Sequence, residues 1–241
     1  MAKGQPDFGQ YAPTETIVGL SDMGELAARL GSIVTFDRRG NIVRLYNFEG
    51  GIAQWELGGV GPGRTLEWVQ EYHRSGNFCA KLTTRDAPGW IATMETSVSY
   101  PILSKIGIEY SVMIEPTLKY INLLIDLYNG SYVIEANAKW TQSTALWQLT
   151  HTGGGVSLSP TMKLSPAASV FNTIKLVADF NNNQYCRLLA NNVSYDLSAY
   201  YLVKGASTVA PRIDIAIQIE TNTTEATHAY VDDFIQTQNE P

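Results

Sequence analysis

The chain is poor in charge. Lys, Arg, Asp and Glu make up 17% of its 241 residues, against roughly 25% in an average soluble domain. The 17 basic residues are outnumbered by 23 acidic ones, for a formal charge of −6. With no basic field to attract phosphate backbones, nucleic acid is not expected as a partner. Long apolar runs are missing as well. The best stretches, 123–125 and 213–219, are short or interrupted by Asp214 and Gln218, far below the ~18 residues a bilayer-spanning helix needs, so no membrane segment is expected. The opening Met1-Ala2-Lys3-Gly4-Gln5-Pro6-Asp7 lacks the apolar stretch of a secretory signal, so use without export is the expectation. Cysteine is scarce: Cys79 and Cys186 each sit in a strand-like run with no Cys-x-x-Cys or Cys/His cluster around them. They read as buried thiols rather than a bridge or a zinc site. His73, His151 and His228 are too widely spaced for a ligand motif.

What the chain does have is a period of two. Ile108, Tyr110, Val112 and Ile114 alternate with Glu109, Ser111, Met113 and Glu115, and Ile121, Leu123, Ile125 and Leu127 alternate with Asn122, Leu124, Asp126 and Tyr128. The same alternation runs through 174–180 and 212–220, the pattern of strands with one face in a core. Turn residues stand between these runs at Pro116-Thr117, Asn129-Gly130, 181–183, Asn191-Asn192 and 221–224, as in an antiparallel sandwich. No βαβ alternation is present, which argues against parallel α/β folds. Ahead of the strands, 1–20 carry Gly4, Pro6, Gly9, Pro13 and Gly19 without periodicity and read as an extended arm. Ser21 can cap a helix over 22–30, with Met23, Leu26, Ala27 and Leu30 on one face and Gly31 as its stop. So short a helix needs something to press against, which points to assembly. Runs 33–36 and 42–48 flank a turn at 37–41 and predict a hairpin. The expected fold is all-β: an antiparallel β-sandwich over 42–241, preceded by an arm, one short helix and a turn over 1–41.

Catalytic motifs fail one by one. The glycines of 58–63 are followed by no Lys-Ser/Thr pair, and Pro62 removes an amide a phosphate loop would use. Gly153-Gly154-Gly155 has no Gly-x-Ser-x-Gly elbow to serve. A glycanase needs two carboxylates about 5 Å apart, and Asp214 and Glu220, although on one strand face, lie six residues and about 20 Å apart. A compact Glu-x-Asp-x-x-Glu motif would need Glu at 212, where this chain has Arg. The expectation is a non-enzyme. Among the tryptophans, Trp55 and Trp68 lie in runs that core packing explains, whereas Trp90 and Trp140 lie nearer to turns and are the candidates for an exposed sugar-stacking platform.

Three segments form an ordered series: Tyr46-Asn47-Phe48-Glu49-Gly50-Gly51 with Trp55, then Arg74-Ser75-Gly76-Asn77-Phe78-Cys79-Ala80-Lys81-Leu82, and finally Tyr230-Val231-Asp232-Asp233-Phe234-Ile235. The series resembles carbohydrate-binding-module and laminin-G-like (concanavalin A-like) jelly rolls over about 42–238, and 171–180 leading to Tyr185 and Leu189 resembles a laminin-G hairpin. The resemblance implies a jelly-roll sandwich. It also implies a structural calcium where the first and last strands meet, with Glu49, Asp232 and Asp233 as ligands; no other cofactor is implied.

The whole chain further resembles phage virion structural proteins of undefined role. That likeness implies a lectin-like jelly roll carried on a virion, in capsid decoration or in a tail or fibre. Other virion proteins and further copies of the chain would be its partners, and Phe8, Tyr11, Met23, Leu26 and Leu30 of the N-terminal segment its assembly contacts. The alternative expectation is a carbohydrate-binding module for surface glycans, using Trp90 and Trp140.

Overall fold

Runs of β-branched residues alternating with polar ones pair into sheets because each strand turns one face to the core; on β6, β11 and β16, unlike the half-buried strands the alternation predicts, the other face is buried as well. The computed structural model describes residues 37, 39–99, 103–222 and 224–241, with a compact unit over Arg39–Pro241. Its strands are β1 (Asn41–Tyr46), β2 (Glu56–Val60), β3 (Thr65–Val69), β4 (Cys79–Thr83), β5 (Ile91–Val98), β6 (Lys105–Ile114), β7 (Leu118–Tyr128), β8 (Tyr132–Thr141), β9 (Leu146–His151), β10 (Gly154–Ser157), β11 (Asn172–Asp179), β12 (Gln184–Ala190), β13 (Val193–Asp196), β14 (Val203–Ala206), β15 (Arg212–Thr221) and β16 (His228–Gln238).

They form two antiparallel sheets. The first runs β13-β12-β11-β6-β16-β4-β3, with β1 also on β16; the second runs β10-β9-β8-β7-β15-β5-β2, with β14 also on β8. The alternating runs read from the sequence are the central strands β6, β7, β11 and β15. Their apolar halves meet between the sheets: Ile108, Tyr110, Val112, Ile174 and Leu176 from one side, and Ile121, Leu123, Ile125, Ile213, Ile215 and Ile217 from the other, all fully buried. Each such side chain contributes about 1.5–3 kcal/mol on leaving water.

The closing strand β16 is shared along one edge by two partners. Residues 228–231 pair with β4, and Phe234–Gln238 pair with β1. Between them the register shifts at Asp232, and Asp233 takes a left-handed φ of 48°. The first and last strands of the sandwich therefore lie side by side, as the jelly-roll likeness implies. The 42–48 run finds its partner in β16; the run at 33–36 lies outside the described residues. So do the arm, the helix over 22–30, and Phe8, Tyr11, Met23, Leu26 and Leu30. Among the described residues there is no helix, and none is long and apolar enough to cross a membrane. Cys79 and Cys186 are both free, and burial pushes the Cys79 thiol up to about 12.

Candidate functional site

The polar halves of β7 and β15 lie on the outer face of the second sheet, beside those of β5, β8, β9 and β10. Because side chains alternate with a period of two and the strands are in register, this face is laid out in rows that cross the strands. One row reads Thr93, Gln218, Asn122, Lys139, Gln148, Ser157 from β5 to β10. The next reads Glu95, Ala216, Leu124, Asn137, Thr150, Gly155. A third reads Ser97, Asp214, Asp126, Glu135, Val203.

The first two rows frame a cavity of about 370 Å³, lined by Tyr120, Asn122, Asn137, Lys139, Gln148, Leu149, Thr150 and Gly155. Asn122 is only 7% exposed. Its Nδ2 donates to Gln218 Oε1 at 3.4 Å, while its Oδ1 is buried without a hydrogen-bond partner. A buried carbonyl oxygen left unpaired costs about 1–3 kcal/mol, so a donor that reached this oxygen would be held there. Gln148 Nε2 reaches Ser157 Oγ at 3.3 Å, and Lys139 Nζ lies 5.6 Å from the Tyr120 ring centroid. Burial and then Glu220 push the Tyr120 hydroxyl up to about 12, so it is a neutral phenol. The cavity thus combines neutral amide, hydroxyl and phenol groups, one ammonium and an unpaired acceptor.

The third row is acidic. Asp214 accepts both its bonds from Arg212 Nε, at 2.9 and 3.0 Å. Asp126, between Asp214 and Glu135, is pushed up to about 6, by burial first and then by Glu135, Asp214 and Glu95. Glu95 is raised by burial, Asp214 and Glu56.

The residues singled out in the sequence fall elsewhere. Trp140 is 1% exposed and donates its Nε1 hydrogen to Met162 O at 2.8 Å; it is a core residue, because its position on β8 has the inward phase of Ala136 and Ala138. Trp90 is half-buried, with its ring so close to Gly61 that a Cβ there would fall 2.6 Å away. The two rings do not make an exposed platform. Trp68 departs from the core reading: it is 44% exposed on β3 and stacks on Phe78 at 3.9 Å.

Glu49, Asp232 and Asp233 are brought to one loop, 74–78, but not to one another as a cage. Glu49 Oε1 accepts from the Asn77 and Phe78 amides at 2.7 and 2.9 Å, and these bonds hold its carboxyl below the ordinary value. Asp232 Oδ2 accepts from the Arg74 and Ser75 amides at 2.7 and 3.0 Å. Asp233 accepts from Ser75 Oγ at 2.6 Å and pairs with Arg74 at 3.5 Å. N–H and O–H donors thus face Glu49 Oε1, Asp232 Oδ2 and Asp233 Oδ1. Among the described residues no group of three His, Cys, Asp or Glu side chains is placed to hold a metal ion.

The cavity residues were not singled out from the sequence. The signal was there as the polar phase of the β7 and β8 alternation, but the register that aligns Asn122 with Lys139 and Gln148 is a property of strand pairing.

No family model and no curated protein matches the chain. Solved structures share its fold. A cellulose-induced protein, Cip1, is 12% identical with a TM-score of 0.50, over 80% of this chain and 96% of its own. A Bacillus licheniformis β-glucanase is 9% identical with a TM-score of 0.50, over 83% and 99%. An endo-β-1,4-glucuronan lyase from the fungus Trichoderma reesei is 10% identical, also at 0.50, over 83% and 96%. These likenesses establish the scaffold, a jelly-roll sandwich of two antiparallel sheets.

Proposed function

We propose that this jelly roll is a non-enzymatic carbohydrate-binding protein whose ligand seats on the outer face of the second sheet. The observation that carries the reading is Asn122: a side chain 7% exposed, with an unpaired oxygen, in a cavity of amides and hydroxyls. Sugars present closely spaced hydroxyls that both donate and accept, and a site of neutral amides, a phenol and one ammonium serves both roles. Proteins named for a glucan and a glucuronan share this scaffold; they support the class of ligand without identifying it. The non-enzymatic part rests on the cavity lining, which contains no carboxylate. The acid at its edge, Glu220, lies across from Tyr120 on the neighbouring strand and is paired with Lys119 at 2.6 Å.

The test is a glycan array probed with the full chain, followed by calorimetry with the best ligand on the parent, Asn122→Ala and Lys139→Ala. Binding that weakens in both variants supports the reading. Binding unmoved by either, or no binding across the array, removes it; shortened sugars after incubation remove the non-enzymatic part.

Display of the sandwich on a virion, with residues 1–41 as the anchor, rests on the sequence resemblance. Its own test is particle binding by the full chain beside a chain lacking 1–41, where equal binding overturns the anchor.

A further inference from the structure

Lys139 is the one charged residue of an otherwise neutral cavity lining. It is half-buried on β8, and among the described residues its ammonium forms an ion pair with no carboxylate. The Tyr120 ring lies against it instead, with 5.6 Å between Nζ and the ring centroid. Several other cations of the chain are answered from within: Lys81, Lys119, Lys175 and Arg212 each sit 2.6–2.9 Å from a carboxylate oxygen. A half-buried ammonium without such a partner has lost part of its hydration and gained no counter-charge, so an anionic oxygen entering the cavity would be bound by it.

The acids around the site are engaged elsewhere or stand too far off to neutralise that charge. Glu220 Oε1 accepts from Lys119 Nζ at 2.6 Å and from the Gly89 amide at 2.9 Å. It lies two strands and one pleat period from Lys139, about 12 Å away. Asp214 is held by Arg212. Asp126 and Glu135 are cross-strand partners four residues along from Asn122 and Lys139, about 13 Å at the usual rise. That separation exceeds the Debye length of about 8 Å at physiological salt, whereas a ligand group in contact with Nζ is well inside it.

Strand pairing sets Asn122 and Gln148 on either side of Lys139, about 5 Å away, with Asn137 and Thr150 one pleat period along. A sugar ring beside the ammonium therefore has amides and a hydroxyl to meet its own hydroxyls while its charged group meets Nζ. A lysine is a point charge with freely turning donors, so it asks for an anionic oxygen and not for the planar fork that an arginine would select. We infer that Lys139 determines the specificity of the site, and that it takes the anionic group, a carboxylate or a sulfate, of an acidic sugar. The inference rests on the carbohydrate-binding reading above and deepens it: the amides hold the ring, and the ammonium selects its charge.

The experiment uses the full chain with three probes of matched length, a β-1,4-linked glucose oligomer, its glucuronic acid counterpart and its sulfate ester, together with an array of neutral and acidic glycans. Affinities are measured by calorimetry at low and high salt for the parent, Lys139→Gln and Lys139→Arg, each checked for folding by its melting curve. At low salt the acidic probes are expected to bind roughly tenfold more tightly than the neutral one, the worth of a charge-assisted hydrogen bond. The advantage should shrink in high salt, vanish in Lys139→Gln and survive in Lys139→Arg. A preference for glucuronate alone or for sulfate alone supports the inference and identifies the anion. A neutral chain bound as tightly as both acidic ones, or a preference that persists in Lys139→Gln, overturns the inference while leaving a carbohydrate-binding protein. An array on which no glycan binds overturns the carbohydrate reading itself, and the inference with it.

Discussion

Tyr185, on β12 of the first sheet, reaches through the core to Asn137, on β8 of the second. Its hydroxyl oxygen accepts the Asn137 amide hydrogen at 2.8 Å, and its own proton goes to Thr150 O on β9 at 2.7 Å. Asn137 and Thr150 are cross-strand partners and both line the cavity, so this phenol ties the two sheets together directly beneath the proposed site. Burial drives its ionisation above the ordinary range, so it stays a neutral donor and acceptor.

Tyr185→Phe leaves a buried amide and a buried carbonyl without this partner, and such groups cost about 1–3 kcal/mol together with the lost bond. Urea denaturation is expected to show that loss with an unchanged slope. Sugar binding should weaken as well, because β8 and β9 lose their anchor at the cavity. An unchanged midpoint would mean that water or the β8–β9 ladder satisfies both groups.

Asn122→Ala removes the unpaired acceptor and only a weak contact to Gln218. Thermal stability should hardly change, while affinity for a bound glycan should drop about tenfold, the worth of one good hydrogen bond. Calorimetry beside a melting curve separates the two effects. A large fall in melting temperature would recast Asn122 as a structural residue.

Gly155→Leu is the steric counterpart. Gly155 is exposed, and a Cβ there has only one neighbour within 4 Å, so the variant should fold as the parent does. Its side chain would occupy the cavity, and binding should be abolished. Full binding by a folded Gly155→Leu protein would place the ligand elsewhere on the molecule.

Asp126 makes stability depend on pH. Its folded value of about 6 stands above the roughly 3.9 of an unfolded aspartate. The folded state therefore binds the proton more tightly, and the stabilisation from Asp126 is complete below about pH 4 and lost as pH rises through 6. Asp232, pushed up to about 6 by burial and Asp233, acts in the same direction. Melting temperature should rise on going from pH 7 to pH 5. In Asp126→Asn it should be higher than the parent's at pH 7, with a smaller rise on acidification. A parent that melts at the same temperature at both pH values contradicts this environment for Asp126.

The 74–78 loop should be indifferent to chelators, because amide hydrogens occupy the carboxylates of Glu49 and Asp232. EDTA is expected to leave the melting temperature where it was. Glu49→Ala should lower it and speed proteolysis within the loop. A clear fall with EDTA, restored by calcium, would show that a metal takes the place of those donors.

The alternation of residues along the chain was enough to define the all-β class, the four central strands and the absence of a parallel α/β core. Ile213, Ile215, Ile217 and Ile219 can bury a common face only as a strand, and that periodicity is local. The nearness of the first strand to the last, Tyr46 beside Phe234, also followed from recognisable segments, although the loop that Glu49 and Asp232 share, and the donors it gives them, did not. Burial of Trp140 and exposure of Trp68 depend on which strand face meets the other sheet, and each aromatic is chemically suited to either setting. The site was the least legible part. Asn122, Lys139 and Gln148 lie far apart in sequence and become neighbours through the register of β7, β8 and β9. Asp126 becomes a perturbed acid because pairing sets it between Asp214 and Glu135. Periodicity is written in single residues and their spacing, whereas register, enclosure and local field arise only when distant strands are brought within about 5 Å of one another.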